Sequence, residues 1–293
     1  MNRARNPIFS NTSMARCSAS AAMIVSAVAG LLVTGVRADA AVTDVGDYIA
    51  GKTAVYIQTG STTPVLSSSN PYQFHTEISN GTTGTILTSS TLALPAGATG
   101  TVTYASIGDN TGVKYSQSYA TAGDLNAAFP DGNYTFTINT STPNTYSSTL
   151  ALGGMTYPTD IGTISNTNWS GGELVIDPTR SYTFTWNASN DLHIEFGINN
   201  TSIDENVLNT GSGLPASYTI AANTLSPGQS YLSKLDFANG VIDTSQISGV
   251  MGVTYYQDST QFTIVTTPEP AAGILLLTAV VSIGLIARRR AAV

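Results

Sequence analysis

The chain has 293 residues, 42% hydrophobic and only 10% charged, with a formal net charge of −7. Seven of its eleven basic residues lie near the ends, so the stretch 41–267 keeps only Lys52, Lys114, Arg180 and Lys234 against sixteen Asp and Glu, a net charge of −12. Such a body lacks the basic face that nucleic acid requires, so no nucleic-acid partner is expected, and it has no electrostatic attraction to an anionic membrane surface.

Residues 1–40 read as a secretory signal peptide. Arg3, Arg5 and Arg16 form a positive leader, Ala19 to Val36 an apolar core, and Ala38-Asp39-Ala40 an A-x-A site with cleavage by signal peptidase expected after Ala40. A retained signal anchor is the alternative. Cleavage would remove Cys17, the only cysteine, and leave an exported body with neither disulfide nor thiol. Its stability would then rest on burial, which a body of this length supplies as one or two domains.

Between the ends the recurrent period is two, not 3.6, and Ser and Thr make up 74 of the 293 residues, so the body is expected to be all-β. Strands are predicted at Val55–Thr59, Tyr72–Ile78, Thr85–Ala93, Thr101–Ser106, Tyr134–Ile138, Glu173–Ile176, Tyr182–Trp186, Leu192–Ile198, Ser217–Ala221, Tyr231–Phe237 and Gln261–Thr266. Asp131-Gly132, Pro227-Gly228 and Asn239-Gly240 read as turns.

Leu225-Ser226-Pro227-Gly228-Gln229-Ser230-Tyr231 resembles the tyrosine corner of fibronectin type III and related immunoglobulin-like sandwiches. Leu125 through Phe129-Pro130-Asp131-Gly132-Asn133-Tyr134 resembles a second corner. The resemblance implies two tandem β-sandwiches, 42–140 and 146–266, the second fibronectin III-like, with Thr140–Tyr146 as linker; one larger sandwich is the alternative.

No catalytic constellation is visible: there is no G-x-S-x-G elbow, no C-x-x-C pair and no phosphate-cradling glycine loop. No enzymatic activity is expected and no catalytic residue is assigned. Asp191, His193 and Glu195 alternate, so on a strand they would share a face suited to a divalent metal or to proton transfer. The structural alternative is a solvent-facing polar strand backed by Leu192, Ile194 and Phe196. Calcium is the cofactor an acidic, oxygen-rich body would take, with Asp204-Glu205 and Asp109-Asn110 as loop candidates; otherwise no cofactor is expected. For a sugar-binding face the candidates are Trp169, in a loop-like setting, and Tyr255-Tyr256, of which one is expected to face outward on a strand.

Past the body, Pro268-Glu269-Pro270 is followed by seventeen apolar residues, 271–287, and by Arg288-Arg289-Arg290. As a helix the apolar run spans about 25 Å, enough for a thin hydrocarbon layer, and the arginines would stop it on the cytoplasmic side. The order of motif, span and basic end, 267–293, is similar to the PEP-CTERM sorting signal of Gram-negative bacteria. That resemblance implies recognition of Pro268, Glu269 and Pro270 by an exosortase that removes the tail. It further implies an inner-membrane intermediate and final placement at the cell surface or in extracellular matrix. The expectation is a surface protein with a structural or adhesive role in extracellular polysaccharide; a carbohydrate-binding module and a secreted polysaccharide hydrolase are the alternatives.

Overall fold

A computed structural model of the chain describes residues 42–209 and 213–268. The expected signal peptide with its Ala38 and Ala40, the span 271–287 and Arg288, Arg289 and Arg290 lie outside the described residues. Within them the chain is mostly β, as its period-two patterning predicts. In chain order the strands are β1 (Val45–Ile57), β2 (Val65–Leu66), β3 (Tyr72–Asn80), β4 (Thr91–Ala93), β5 (Ala105–Ser106) and β6 (Gly112–Tyr119). A short helix α1 (Ala122–Ala128) follows, then β7 (Gly132–Asn139), β8 (Thr145–Leu152), β9 (Trp169–Ser170), β10 (Glu173–Ile176) and β11 (Tyr182–Thr185). The last strands are β12 (His193–Ile198), β13 (Asp204–Leu208), β14 (Ser217–Ile220), β15 (Ser230–Asp243) and β16 (Met251–Thr266).

One large sheet organises everything else. Its order is β13-β12-β15-β16-β1-β3-β6-β5, with β2 added to β1 and β10, carrying β9, added to β16. β15 and β16 form its spine, antiparallel from Ser230↔Val265 to Asp243↔Gly252. The first strand of the body lies parallel to the last, from Asp47↔Met251 to Ile57↔Gln261. Two small sheets cover one face. β4-β7-β8 closes a first core in which Tyr48 meets Phe136 edge-on at 5.2 Å and Phe74 stacks on Phe129 at 3.9 Å. β11-β14 closes a second, where Phe184 and Trp186 pack on Phe196 at 4.8 and 5.4 Å.

The sequence pattern explains the covering strands well. Tyr134, Phe136 and Ile138 are fully buried while Thr135 and Thr137 are half-exposed, and Phe184 and Trp186 are buried beside Thr183 and Thr185. Thr121 caps α1 by accepting the Asp124 backbone N–H at 3.1 Å, and the helix delivers Leu125 and Phe129 to the first core. Both tyrosine corners form. The Tyr134 hydroxyl donates to the Pro130 carbonyl at 2.7 Å; the Tyr231 hydroxyl accepts the Ser226 N–H at 2.9 Å above a buried Leu225.

Two expectations are corrected by strand pairing. Thr140–Tyr146 is not an interdomain linker but the turn of the β7–β8 hairpin, since Ile138 pairs with Tyr146 and Asn139 with Thr145. The division at 140/146 therefore cuts a hairpin, and β1, from the expected first unit, is a neighbour of β16 from the second; two cores share one sheet. Asn239-Gly240 is likewise no turn: it lies inside β15, where a Cβ on Gly240 would come within 2.6 Å of the Thr254 carbonyl oxygen. The glycine there allows close strand approach.

Candidate functional site

The large sheet brings several of its charged residues together on β12, β13 and β15. β12 pairs with β15 so that Glu195 lies opposite Asp236 and Gly197 opposite Lys234. On its other side β12 pairs with β13, setting Glu195 against Asn206 and Gly197 against Asp204. Opposed residues share a face, so Glu195, Asp236, Lys234, Asp204 and Asn206 converge on one side while Ile194, Phe196, Leu235 and Phe237 enter the second core on the other. The bare Gly197 backbone leaves room for the Lys234 stem, whose Cε would be 3.4 Å from a Cβ there.

Lys234 Nζ sits 2.6 Å from Glu195 Oε1 and 2.9 Å from Asp236 Oδ2, with both carboxylates about 2% exposed. One ammonium thus faces two buried carboxyls. Burial alone would lower the Lys234 amine, but Asp236 and Glu195 together hold it above its usual value. Burial raises Glu195 against the pull of Lys234, with Asp236 adding repulsion. The arithmetic of one cation between two acids favours a proton retained on Glu195. Burial also raises Asp204. His193 is 2% exposed, bonds Asn206 Oδ1 through Nε2 at 2.6 Å, and is pushed down to about 4 by burial, so it is neutral.

The three residues expected to form a metal or proton-transfer face are thus engaged separately. Asp191 accepts the Ser189 hydroxyl, His193 bonds Asn206, and Glu195 bonds Lys234. Lys234 Nζ occupies the place between Glu195 and Asp236 where a divalent cation would sit, and among the described residues no group of three His, Cys, Asp or Glu is arranged to hold a metal. Nor is the trio solvent-facing, as its structural alternative had it: all three residues are under 9% exposed. A small open depression lies next to the cluster, where the turn Asn199-Asn200-Thr201 and Ile203 meet Asp204 and Lys234. Asp204 and Glu205 stand in β13 rather than in a loop, paired with Gly197 and Phe196.

The aromatic candidates are not a sugar-stacking platform. Tyr255 is 2% and Tyr256 5% exposed, because β16 is a central strand whose sides are both covered; neither tyrosine points outward. The Tyr255 ring lies across Gly51, and Tyr256 packs edge-on against Tyr157 at 5.2 Å. Trp169 is half-buried in β9, 6.2 Å from Phe262, with its indole N–H donated to the Asn166 carbonyl at 2.7 Å. Of the sorting motif, Pro268 is described: it is exposed, two residues past β16. Glu269 and Pro270 lie outside the described residues.

Sequence reading passed over the buried lysines as bare entries in a charge balance. The available signal was context: Lys52 and Lys234 sit within Ile49–Val55 and Tyr231–Phe237, apolar strand runs in a body with four cations. It also passed over Asp44. This buried carboxylate accepts bonds from Thr140, Thr142, Asn144 and Tyr146 at 2.6 to 3.0 Å, tying the first strand's entry to the β7–β8 turn. Burial would raise it, yet the four donors hold it well below the carboxylate range. No protein-family model and no curated protein matches the chain.

Proposed function

We propose that this is an exported surface protein, sorted through its C-terminal segment and processed by an exosortase, whose β body serves a structural or adhesive role in extracellular polysaccharide. The observation that carries this reading is the ordered set of Pro268-Glu269-Pro270, the apolar run 271–287 and Arg288-Arg289-Arg290. The exposure of Pro268 beyond β16 supports it, since a processing enzyme needs extended, accessible backbone. The body suits the role: the first and last strands of the sheet are parallel neighbours, so tension applied at the end of β16 loads the long β1–β16 and β15–β16 ladders in shear. The two tyrosine corners support kinship with immunoglobulin-like and fibronectin III-like sandwiches, here with a sheet shared between the two cores.

The test is replacement of Glu269 by Ala in the native host, followed by cell fractionation. Processing predicts that the variant accumulates in the membrane fraction with its tail attached while the wild type leaves that fraction. Equal distribution of both would overturn the reading.

A further inference from the structure

The second buried lysine is set up differently from Lys234. Lys52 lies near the middle of β1 with no exposed side-chain surface. Its Nζ is 2.7 Å from Asn126 Oδ1, on α1, and 2.6 Å from Asp131 Oδ1, just before β7. The Tyr256 ring centroid lies 5.5 Å from the amine, and the Tyr256 hydroxyl donates to the same Asp131 oxygen. An amine, a primary carboxamide and a carboxylate therefore meet in one place, walled by aromatic surface and open to solvent on the Asp131 side, whose side chain is 54% exposed.

We propose that Lys52 and Asn126 are joined by an intramolecular amide cross-link, formed after folding, with Asp131 relaying the protons. A nitrogen at hydrogen-bond distance from Oδ1 is within about 4 Å of the carbonyl carbon, one small rotation short of the ~3–3.5 Å at which attack begins. Asp131 takes a proton from the Lys52 ammonium, and the freed lone pair forms a bond to Asn126 Cγ. As the Cγ–Nδ2 bond breaks, Asp131 passes that proton and then a second one from Nζ to the departing nitrogen. Nδ2 leaves as ammonium through the solvent-facing side, Asp131 returns to its carboxylate form, and the lysine's positive charge departs with the ammonium.

The division of roles follows from the surroundings. Burial lowers the Lys52 amine toward its nucleophilic form, against the pull of Asp131. Burial would raise Asp131, but its bonds from Lys52 and Tyr256 hold it low, which makes it a carboxylate base and a poor electrophile. Asn126 is then the acyl group. The bond would close a loop across 74 residues and tie β1, the parallel neighbour of β16, to the cap of the first core. In a body without cysteine it would serve as a disulfide does elsewhere.

Intact-mass measurement and peptide mapping of the purified, folded full chain test this. The expected result is a mass about 17 Da below that of the unlinked chain, one ammonia, with a Lys52 peptide joined to an Asn126 peptide. Asn126→Ala, at an exposed helix position, and Asp131→Asn should fold, as read by circular dichroism, and carry the unlinked mass. Folded wild type with the unlinked mass overturns the proposal. So does a loss of about 18 Da with Lys52 joined to Asp131, which would mean water had left a carboxyl group.

Discussion

The two strands that flank β16 each bury a lysine, Lys234 on β15 and Lys52 on β1, and the pair shows how partner count decides what a buried amine becomes. Lys234, on the face of the sheet opposite the second core, has two buried carboxyls and is held as a cation above its ordinary value. Lys52, toward the first, has one half-exposed carboxylate and a neutral amide, and burial wins, lowering it. The first arrangement is an electrostatic clamp between neighbouring strands. The second is a set of reactive partners linking a strand to a helix.

Lys234→Met should cost about 3–5 kcal/mol in denaturant unfolding, because Glu195 and Asp236 would be left buried without a cation. A cost near zero would mean the clamp is solvated.

Acid groups without a cation give the next largest effect. Burial raises Asp47 to about 7, and burial with Asp191's repulsion raises Asp258 to about 7. Each binds its proton more tightly folded than unfolded, so its contribution is fullest below the ordinary value of 3.8 and is lost as pH climbs toward 7. Glu195 moves in the same direction. Unfolding free energy should therefore fall by a few kcal/mol between about pH 5 and pH 8, and thermal melts across that window read it. A rise would contradict the burial of these acids.

The tyrosine corners sharpen the contrast between the cores. Tyr134→Phe removes the donor from the part-buried Pro130 carbonyl and should cost about 1 kcal/mol, whereas Tyr231→Phe removes an exposed bond and should cost about 0.5 kcal/mol. Smallest of all is Glu195→Gln, expected to cost less than about 0.5 kcal/mol near neutral pH because the carboxyl already keeps its proton. Paired with Lys234→Met, it separates loss of the cation from loss of an acid.

Legibility in the sequence followed side-chain alternation: β12 is buried on both faces, yet its alternating apolar and polar residues set the predicted Leu192–Ile198 to within one residue. β7, β10 and β11 have one open face, so large and small side chains alternate and their bounds were read nearly to the residue. β1 and the first ten residues of β16 are covered on both faces; Ile49-Ala50-Gly51-Lys52 and Tyr255-Tyr256-Gln257 carry no alternation, and most of both strands went unread. β8 was missed because the Thr, Ser and Asn around 140–148 resemble a linker, although Ser148 is buried and donates to the Tyr48 hydroxyl at 2.6 Å. The contacts that cross between elements, Glu195–Lys234 and Lys52–Asp131, join residues 39 and 79 positions apart, and only the fold reveals them.

The intact mass of the protein from its own cells, with both termini sequenced, tests export and processing most directly. Export and exosortase processing predict a chain beginning near Ala41 and ending around Pro268-Glu269-Pro270. A chain that still ends after Arg288-Arg289-Arg290 would contradict processing and make the C-terminal segment a plain membrane anchor.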